Sequence, residues 1–179
     1  MSSAFRPVHW VARFVRSVRP GYPSVVDRAW ADGFLSDSER KLFSKMSSAD
    51  QRHAIWVARS ASPNLDSMDL EPTLSVAAHA AALLHDVGKT AAALGTYGRI
   101  VATLSGAVGG RDTAELWAQT SGITRRVGLY LQYPKLGADM LKLAGSHPWV
   151  VAWSREHHEG ADAWSLPPEV ARILVVADR

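Results

Sequence analysis

The residues of this sequence that could do chemistry are histidines and aspartates set beside strongly apolar segments. The His85-Asp86 pair directly follows the run Ala80-Ala81-Ala82-Leu83-Leu84. An unpaired carboxylate in such surroundings would carry a heavy desolvation cost, and a bound cation would offset that cost. Lys89 follows closely enough to face an anion bound there, and phosphate is the natural anion for a flexible lysine.

A second candidate is His53, which shares a helix face with Trp56 and Val57 at spacings of three and four. Its imidazole should therefore point inward, where it needs a partner. One interpretation is a metal ion. The competing one is an ordinary buried hydrogen-bonded pair, for instance between His53 and Asp178.

Polar residues also follow predicted apolar helices at two positions later in the sequence. His157-His158 ends a helix that begins at Pro148, and Asp178 closes the apolar run 173–177. The chain has no cysteine, which excludes disulfides, thiolate zinc sites and cysteine nucleophiles. A divalent ion would have nitrogen and oxygen ligands, so manganese, iron, cobalt, nickel, zinc and magnesium all remain candidates.

The elements that would position these residues are predicted to be helices throughout, which makes the fold class all-α. Apolar residues recur at helical spacing, and 179 residues with 47% of hydrophobic type suffice for a compact multi-helix bundle. Capping boxes at 36–39 and 48–51 predict helices near 37–47 and 49–61. Pro72 predicts the start of the next helix, and Gly88 its stop. Further helices are expected near 96–106, 112–119, 123–132, 135–144, 148–158 and 168–178.

Positive charge is concentrated at the N-terminus, although the formal net charge is only +3. Residues 1–26 contain no acid and four arginines: Arg6, Arg13, Arg16 and Arg19. We predict that residues 1–35 form a basic helical segment packed on or appended to a helical domain of residues 36–179. The alternative is weak contact of this segment with an anionic membrane surface or nucleic acid. No stretch is long and apolar enough for a membrane span or signal peptide, so a cytoplasmic location is expected.

Together these residues resemble the HD superfamily of metal-dependent phosphohydrolases, whose pattern is a histidine, a His-Asp pair and a distant aspartate on successive helices. Here it appears as Arg52-His53-Ala54, Leu84-His85-Asp86-Val87-Gly88-Lys89 and Val176-Ala177-Asp178. The separations are 32 residues from His53 to His85 and 71 from Asp86 to His157. The resemblance implies an HD-domain bundle that holds a divalent ion with His53, His85, Asp86 and Asp178.

The resemblance also implies an activity, the hydrolysis of a nucleotide or another small phosphoester by metal-activated water. Asp86 and Lys89 are then the catalytic residues, with Lys89 neutralising the substrate phosphate. His157 or His158 would contact the leaving group or a second ion. Arg125 and Arg126 are candidates for further phosphate contacts. The alternative is a metal-binding signalling or interaction module of the HD fold with little or no turnover.

Two departures argue against the binuclear branch of this family, the cyclic-dinucleotide phosphodiesterases with a Gly-Tyr-Pro signature. That tripeptide is missing after His157-His158, and Gly21-Tyr22-Pro23 lies far from the expected place. Tyr133 also stands where the branch has a histidine, and a neutral phenol is a poor ligand. We therefore expect one well-occupied ion, with Asp86, His157 and His158 forming a weaker second site at best.

The remaining histidines and the tryptophans are given structural interpretations. His9, His79 and His147 are predicted to be structural or solvated. Most tryptophans, Trp56 among them, are predicted to be core residues rather than platforms for base stacking. Trp164, in the loop after His158, is the tryptophan most worth checking for a role in base stacking.

Overall fold

The computed structural model describes residues 21–92, 94 and 114–179 of the chain. Within these ranges every regular element is a helix, which confirms the all-α prediction. The elements are α1 (Val25–Asp32), α2 (Asp37–Lys45), α3 (Ser48–Asp66), α4 (Pro72–Leu84), a 3₁₀ helix (Val87–Ala92), α5 (Gly122–Leu131), α6 (Tyr133–Leu143), α7 (Pro148–Glu156), a short 3₁₀ turn (Ala161–Ala163) and α8 (Pro168–Ala177).

Some predicted helices lie partly or wholly outside the residues that the structure describes, so their bounds can be compared only in part. Residues 114–118 are helical, in agreement with the end of the helix expected near 112–119. The structure does not describe residues 1–20, which include His9, or the helix expected near 96–106.

Serine caps begin both α2 and α3. Ser36 and Glu39 form the predicted capping box, with each side chain bonded to the other residue's backbone amide. For α3 the prediction was one residue late, because Ser47 rather than Ser48 caps the helix and accepts from the amide of Asp50 at 3.2 Å. Gln51, the expected partner, instead donates to the carbonyl of Met46 at 2.8 Å.

The helix α3 extends past the end expected at residue 61. It contains Pro63 and continues to Asp66. A proline inside a helix costs about 3 kcal/mol because it removes a backbone hydrogen bond and its ring crowds the preceding turn. Ala61 and Leu65 on this last turn are fully buried. Their burial offsets much of the cost, since a buried leucine contributes about 2 kcal/mol.

The helix α4 lies at the centre of the bundle. It packs against α3 on one side and α7 on the other, and α8 packs against α3. The side chains from Ala77 to Leu84 are all buried. Because most of them are alanines, neighbouring helices approach closely, and the two residues that follow, His85 and Asp86, are carried into the interior.

Gly88 does not stop α4 as the sequence suggested, because α4 already ends at Leu84 and Gly88 lies within the 3₁₀ helix. A Cβ atom at Gly88 would meet the backbone oxygen of Tyr133 at 1.9 Å and the nitrogen of Gly137 at 2.6 Å. The glycine is therefore required by the close approach of the 3₁₀ helix to α6, rather than by a special backbone conformation.

The described part of the N-terminal segment packs on the same core as the rest of the chain. Ala31 and Leu35 are buried in the main hydrophobic cluster, and Trp30 and Phe34 pack against it. The boundary predicted at residue 35 stays a prediction. None of the described helices is both long and apolar enough to cross a membrane.

Candidate functional site

Two helix ends and one helix interior bring four of the predicted site residues together in the central cluster, which consists of His53, His85, Asp86 and Asp178. His53 lies early in α3, and His85 caps the C-terminus of α4 with Asp86 directly after it. Asp178 caps the C-terminus of α8. His157 caps the C-terminus of α7, and Tyr133 opens α6.

The distances within the central cluster are short. Nε2 of His53 lies 3.0 Å from Oδ1 of Asp178, and Nε2 of His85 lies 3.4 Å from Oδ2 of Asp86 and 3.9 Å from Oδ1 of Asp178. Ligand atoms of His53, His85 and Asp86 all lie within 4.8 Å of one another. An ion bound at about 2.0–2.2 Å holds adjacent ligand atoms roughly 3–3.5 Å apart. The imidazole–carboxylate contacts of 3.0, 3.4 and 3.9 Å are near this spacing, and the 4.8 Å limit for His53, His85 and Asp86 is wider.

Two imidazole nitrogens of the cluster are buried without a hydrogen bond. Nε2 of His53 and Nε2 of His85 have no hydrogen-bond partner among the described residues, although carboxylate oxygens lie near both. For His53 the contact at 3.0 Å fails in direction rather than in distance. Buried polar atoms without partners are costly and rare. Their convergence with two carboxylates fits a divalent cation, which would bind the Nε2 lone pairs of the neutral imidazoles.

A backbone carbonyl fixes the orientation of the His85 ring on the side away from the cluster. Its Nδ1 lies 2.8 Å from the carbonyl oxygen of Ala82, so this nitrogen carries the proton and donates it. In the neutral imidazole Nε2 then presents a lone pair to the cluster, whereas in the protonated imidazole it carries a proton that faces Asp86 and Asp178. A carbonyl that fixes the tautomer in this way is the usual support of a metal-binding histidine.

The charges of the cluster shift its pKa values in opposite directions. Burial would lower the pKa of His85, but the neighbouring charges of Asp86 and Asp178 raise it overall. Burial would raise the pKa of Asp86, but Lys89 and His85 hold it well below its ordinary value. Asp86 is therefore an anion at neutral pH, despite being only 3% exposed.

Lys89 is the cation that this structure places against Asp86. Its Nζ lies 2.5 Å from Oδ2 of Asp86 and 5.0 Å from the ring centre of Tyr133. Burial would lower the pKa of Lys89, but the charge of Asp86 raises it overall, so the ammonium stays protonated. The sequence analysis expected the ammonium of Lys89 to contact a substrate phosphate. In this structure the ammonium contacts the carboxylate of Asp86 instead.

A second group of side chains adjoins the cluster and consists of Tyr133, His157 and His158. The Tyr133 hydroxyl lies 3.3 Å from Nε2 of His157 and within hydrogen-bonding reach of Nε2 of His158. Burial, followed by the charge of Asp86, raises the pKa of Tyr133 well above its ordinary value, so the phenol is neutral. Its single proton can be donated to only one of the two histidines at a time.

His157 connects this second group to the cluster. Its Nε2 lies 3.8 Å from Oδ1 of Asp86, and its Nδ1 lies 3.1 Å from the carbonyl oxygen of Ser154. Burial, followed by the charges that His85 and His158 carry when protonated, lowers the pKa of His157 to about 3. His157 is therefore neutral at ordinary pH, with its proton on Nδ1 and its Nε2 lone pair facing Asp86 and Tyr133.

Other predicted residues lie elsewhere. Arg125 and Arg126 are exposed on α5 and are not among the side chains that meet at the cluster. His147 caps α7 by accepting from the amide of Trp149, as a structural histidine would. Trp164 donates to the carbonyl of Glu159 and packs edge-on against Trp153 of the core.

His79 is structural rather than solvated. It is 1% exposed, its Nε2 lies 2.9 Å from the Ser62 hydroxyl, and its Nδ1 lies 2.8 Å from the carbonyl oxygen of Ser75. Its ring stacks on Phe34 at a centre-to-centre distance of 4.3 Å. His79 thereby joins α3, α4 and the segment after α1.

Sequence reasoning missed two supporting residues. Asp50 is buried one turn before His53, and its negative charge contributes to the raised pKa of Lys89. Asp50 lies three residues before His53, and this helical spacing was a usable sequence signal. Ser154 is fully buried and donates to the carbonyl of His85 at 3.3 Å, which ties α7 to the end of α4. No sequence signal identified that contact.

Comparison of the chain with protein-family models, with curated proteins and with solved structures finds no match. The resemblance to the HD superfamily therefore stays a prediction that rests on the residues themselves.

Proposed function

We propose that this chain is a metal-dependent phosphohydrolase of the HD type that cleaves a nucleotide or another small phosphoester. The observation that carries the proposal is the pair of buried, unpartnered Nε2 atoms of His53 and His85, which converge with Asp86 and Asp178. In this proposal those four side chains hold the ion. A bound divalent ion would supply Lewis acidity toward a phosphoryl oxygen and an activated water for hydrolysis.

The residues around the cluster have separate tasks in the proposed reaction. Lys89 contacts Asp86, one of the four proposed ligands, and in this proposal its ammonium donates to a phosphate oxygen of the substrate. His157 has its proton committed to backbone carbonyls through Nδ1, which suits a ligand or acceptor role at Nε2 better than protonation of a leaving group.

A second candidate function is a metal-binding module with little turnover. The observation in its favour is that Tyr133 and Lys89 already engage His157, His158 and Asp86. A second ion would have to displace both. If hydrolysis needs two ions, this chain would bind one metal and cleave slowly or not at all.

The test is a phosphoester panel assayed with manganese, magnesium, zinc and cobalt in turn, using wild type and Asp86→Asn. The matched control is Asp139→Asn, since Asp139 is an exposed acid on α6 that pairs with Arg155. We expect metal-dependent cleavage by wild type and Asp139→Asn, with at least a hundredfold loss in Asp86→Asn. Metal binding without cleavage of any ester would select the second candidate, and absence of both would reject both proposals.

A further inference from the structure

The start of α1 presents apolar side chains to the outside of the molecule rather than to its core. Val25 and Val26 are 86% and 74% exposed, and Tyr22, just before the helix, is 79% exposed. Ala29, one turn after Val25, is exposed as well. We call Tyr22, Val25, Val26 and Ala29 the α1 patch. Apolar side chains grouped on a surface in this way mark a site of interaction.

The polar residues of α1 hold the helix in this orientation. Oδ1 of Asp27 lies 2.9 Å from a guanidinium nitrogen of Arg59 on α3. Nη1 of Arg28 donates to the side-chain oxygen of Gln51, also on α3, at 3.1 Å. The fully buried Ala31 fixes the same side of the helix against the core. The valines cannot turn inward without breaking these contacts, so the α1 patch stays on the surface.

Positive charge directly precedes the α1 patch in the sequence. Residues 1–20, which the structure does not describe, contain four arginines and no acid. The nearest acid after them, Asp27, has its charge balanced by Arg59. Basic side chains beside exposed apolar ones complement a surface that is anionic outside and apolar beneath, which is the surface of a bilayer with anionic phospholipids.

The order of the residues before the α1 patch fits the same surface. At 3.6 residues per turn, Arg13, Arg16 and Arg19 would share one face of a helix. The opposite face would carry Trp10, Val11, Phe14, Val15 and Val18. A basic face opposite an apolar face with tryptophan and phenylalanine is the sequence pattern of helices that lie in the membrane interface.

The α1 patch distinguishes a membrane from nucleic acid as the partner. Arginines alone suit either partner, because both carry phosphates. Valine side chains gain free energy when they leave water for the boundary of the acyl chains. Most protein contacts to nucleic acid are instead made by polar and charged side chains on phosphates and sugars. The exposed Val25 and Val26 therefore favour a lipid surface.

We propose that residues 1–20 and the α1 patch together bind the surface of a membrane that contains anionic phospholipids. The arginines lie among the headgroups, and Tyr22, Val25 and Val26 reach the boundary with the acyl chains. The proposal is independent of the proposed phosphohydrolase activity, because the α1 patch contains no residue of the central cluster.

Co-sedimentation of the whole chain with lipid vesicles tests the proposal. We expect wild type to bind vesicles of phosphatidylcholine with about 30% phosphatidylserine, and to bind phosphatidylcholine alone at least about tenfold more weakly. Raising the salt from about 0.1 to 0.5 M should release the protein, because salt screens the headgroup charge.

Substitution of the two valines tests the apolar part. Val25→Ser/Val26→Ser should bind the anionic vesicles about tenfold or more weakly, since two side chains lose their contact with the acyl boundary. The matched control is Ile123→Ser/Leu143→Ser, which removes two other exposed aliphatic side chains, 71% and 90% exposed, and should bind as wild type does. Trp56→Phe is a further control, because Trp56 is 37% exposed on α3, contrary to the core position predicted for it, and lies outside the α1 patch.

Substitution of arginines tests the electrostatic part. Arg13→Gln/Arg16→Gln/Arg19→Gln should weaken binding to the anionic vesicles about a hundredfold at low salt. The control Arg125→Gln/Arg126→Gln/Arg172→Gln removes the same total charge from exposed positions on α5 and α8, and should change binding less than about threefold.

A duplex oligonucleotide and a denaturant titration distinguish the other occupants of the α1 patch. Wild type that binds the duplex but not the anionic vesicles overturns the proposal, and so does a valine variant that binds the vesicles as tightly as wild type. If wild type binds no vesicle and Val25→Ser/Val26→Ser is far less stable than its control, the chain itself covers the patch and the proposal is overturned. Each of these results leaves the proposed metal site untouched.

Discussion

At the scale of single residues, the cluster depends on which nitrogen of each imidazole faces inward. Backbone carbonyls at the ends of α4 and α7 hold Nδ1 of His85 and His157, so both rings present Nε2. The apolar helix faces predicted that His53, His85 and Asp86 would be buried, and the resemblance to the HD superfamily predicted that they would meet. It did not reveal the contact of Tyr133 with His157 and His158, because that contact depends on how α6 packs against α7.

Lys89 should compete with a metal ion for Asp86, since its Nζ lies 2.5 Å from Oδ2. Replacement by the neutral Lys89→Gln removes that competitor and leaves a buried carboxylate that a cation would satisfy. We expect the manganese affinity of Lys89→Gln to rise about tenfold or more, measured by titration calorimetry. Lys142→Gln, on the exposed side of α6, is the control, and equal affinities in all three proteins would contradict this account of Lys89.

The stability of the metal-free protein should fall in acid because of His157. Its pKa is about 3 when folded and about 6.5 when unfolded, so below pH 6.5 the unfolded chain binds the proton that the folded chain refuses. The free energy of unfolding should then decrease from pH 6.5 toward pH 3, by up to about 1.4 kcal/mol per pH unit. His85, with its raised pKa, acts in a separate window and loses its stabilising contribution as the pH rises above 6.5.

Denaturant titrations of chelator-treated protein at several pH values check this dependence. His157→Gln cannot titrate in this range, so its stability curve should be flatter between pH 6.5 and 4 than that of wild type. Parallel curves would show that His157 is not the group responsible.

At the scale of helices, contacts between segments distant in sequence determine the helix ends and the glycine positions that local sequence patterns do not predict. The capping box at Ser36 and the apolar spacing fixed most helix bounds well, because both are local signals. The continuation of α3 through Pro63 and the role of Gly88 were missed, because each depends on a neighbour distant in sequence. Burial of Ala61 and Leu65 offsets much of the cost of the proline, and the backbone of α6 excludes a side chain at Gly88.

Gly88→Ala should therefore destabilise the protein by about 3 kcal/mol, because its Cβ would lie 1.9 Å from a backbone oxygen that cannot rotate away. Gly160→Ala is the matched control, since the nearest atom there is the carboxylate oxygen of Asp162, a flexible side chain. Chemical denaturation of both variants provides the comparison. A Gly88→Ala variant as stable as Gly160→Ala would refute the close contact between the 3₁₀ helix and α6.

At the scale of the whole molecule, the cluster joins helices from distant parts of the chain. His53 and Asp178 are 125 residues apart in sequence, yet their side chains are 3.0 Å apart. An ion bound there would connect α3, the end of α4 and the end of α8. Sequence spacing could predict such a site only through a family resemblance, because nothing local specifies that these ends converge.

Metal binding should accordingly stabilise the entire fold. An ion present at a hundred times its dissociation constant adds about 2.7 kcal/mol to the free energy of unfolding. For a chain of this length that corresponds to an increase in melting temperature of roughly 5–10 °C. Thermal unfolding with manganese and with chelator measures the shift, and magnesium, zinc and cobalt can be compared in the same way. A melting temperature unaffected by every ion would argue against a site that links these helices.

The most direct measurement of the central claim is the stoichiometry and affinity of metal binding in wild type, His53→Asn and Asp178→Asn, with Asp139→Asn as the control. We predict one tightly bound ion per chain in wild type and in Asp139→Asn. Each cluster variant should lose at least about a hundredfold in affinity. Wild-type protein that binds no divalent ion, or cluster variants that bind it as tightly as the control, would contradict the assignment of His53, His85, Asp86 and Asp178 as a metal site.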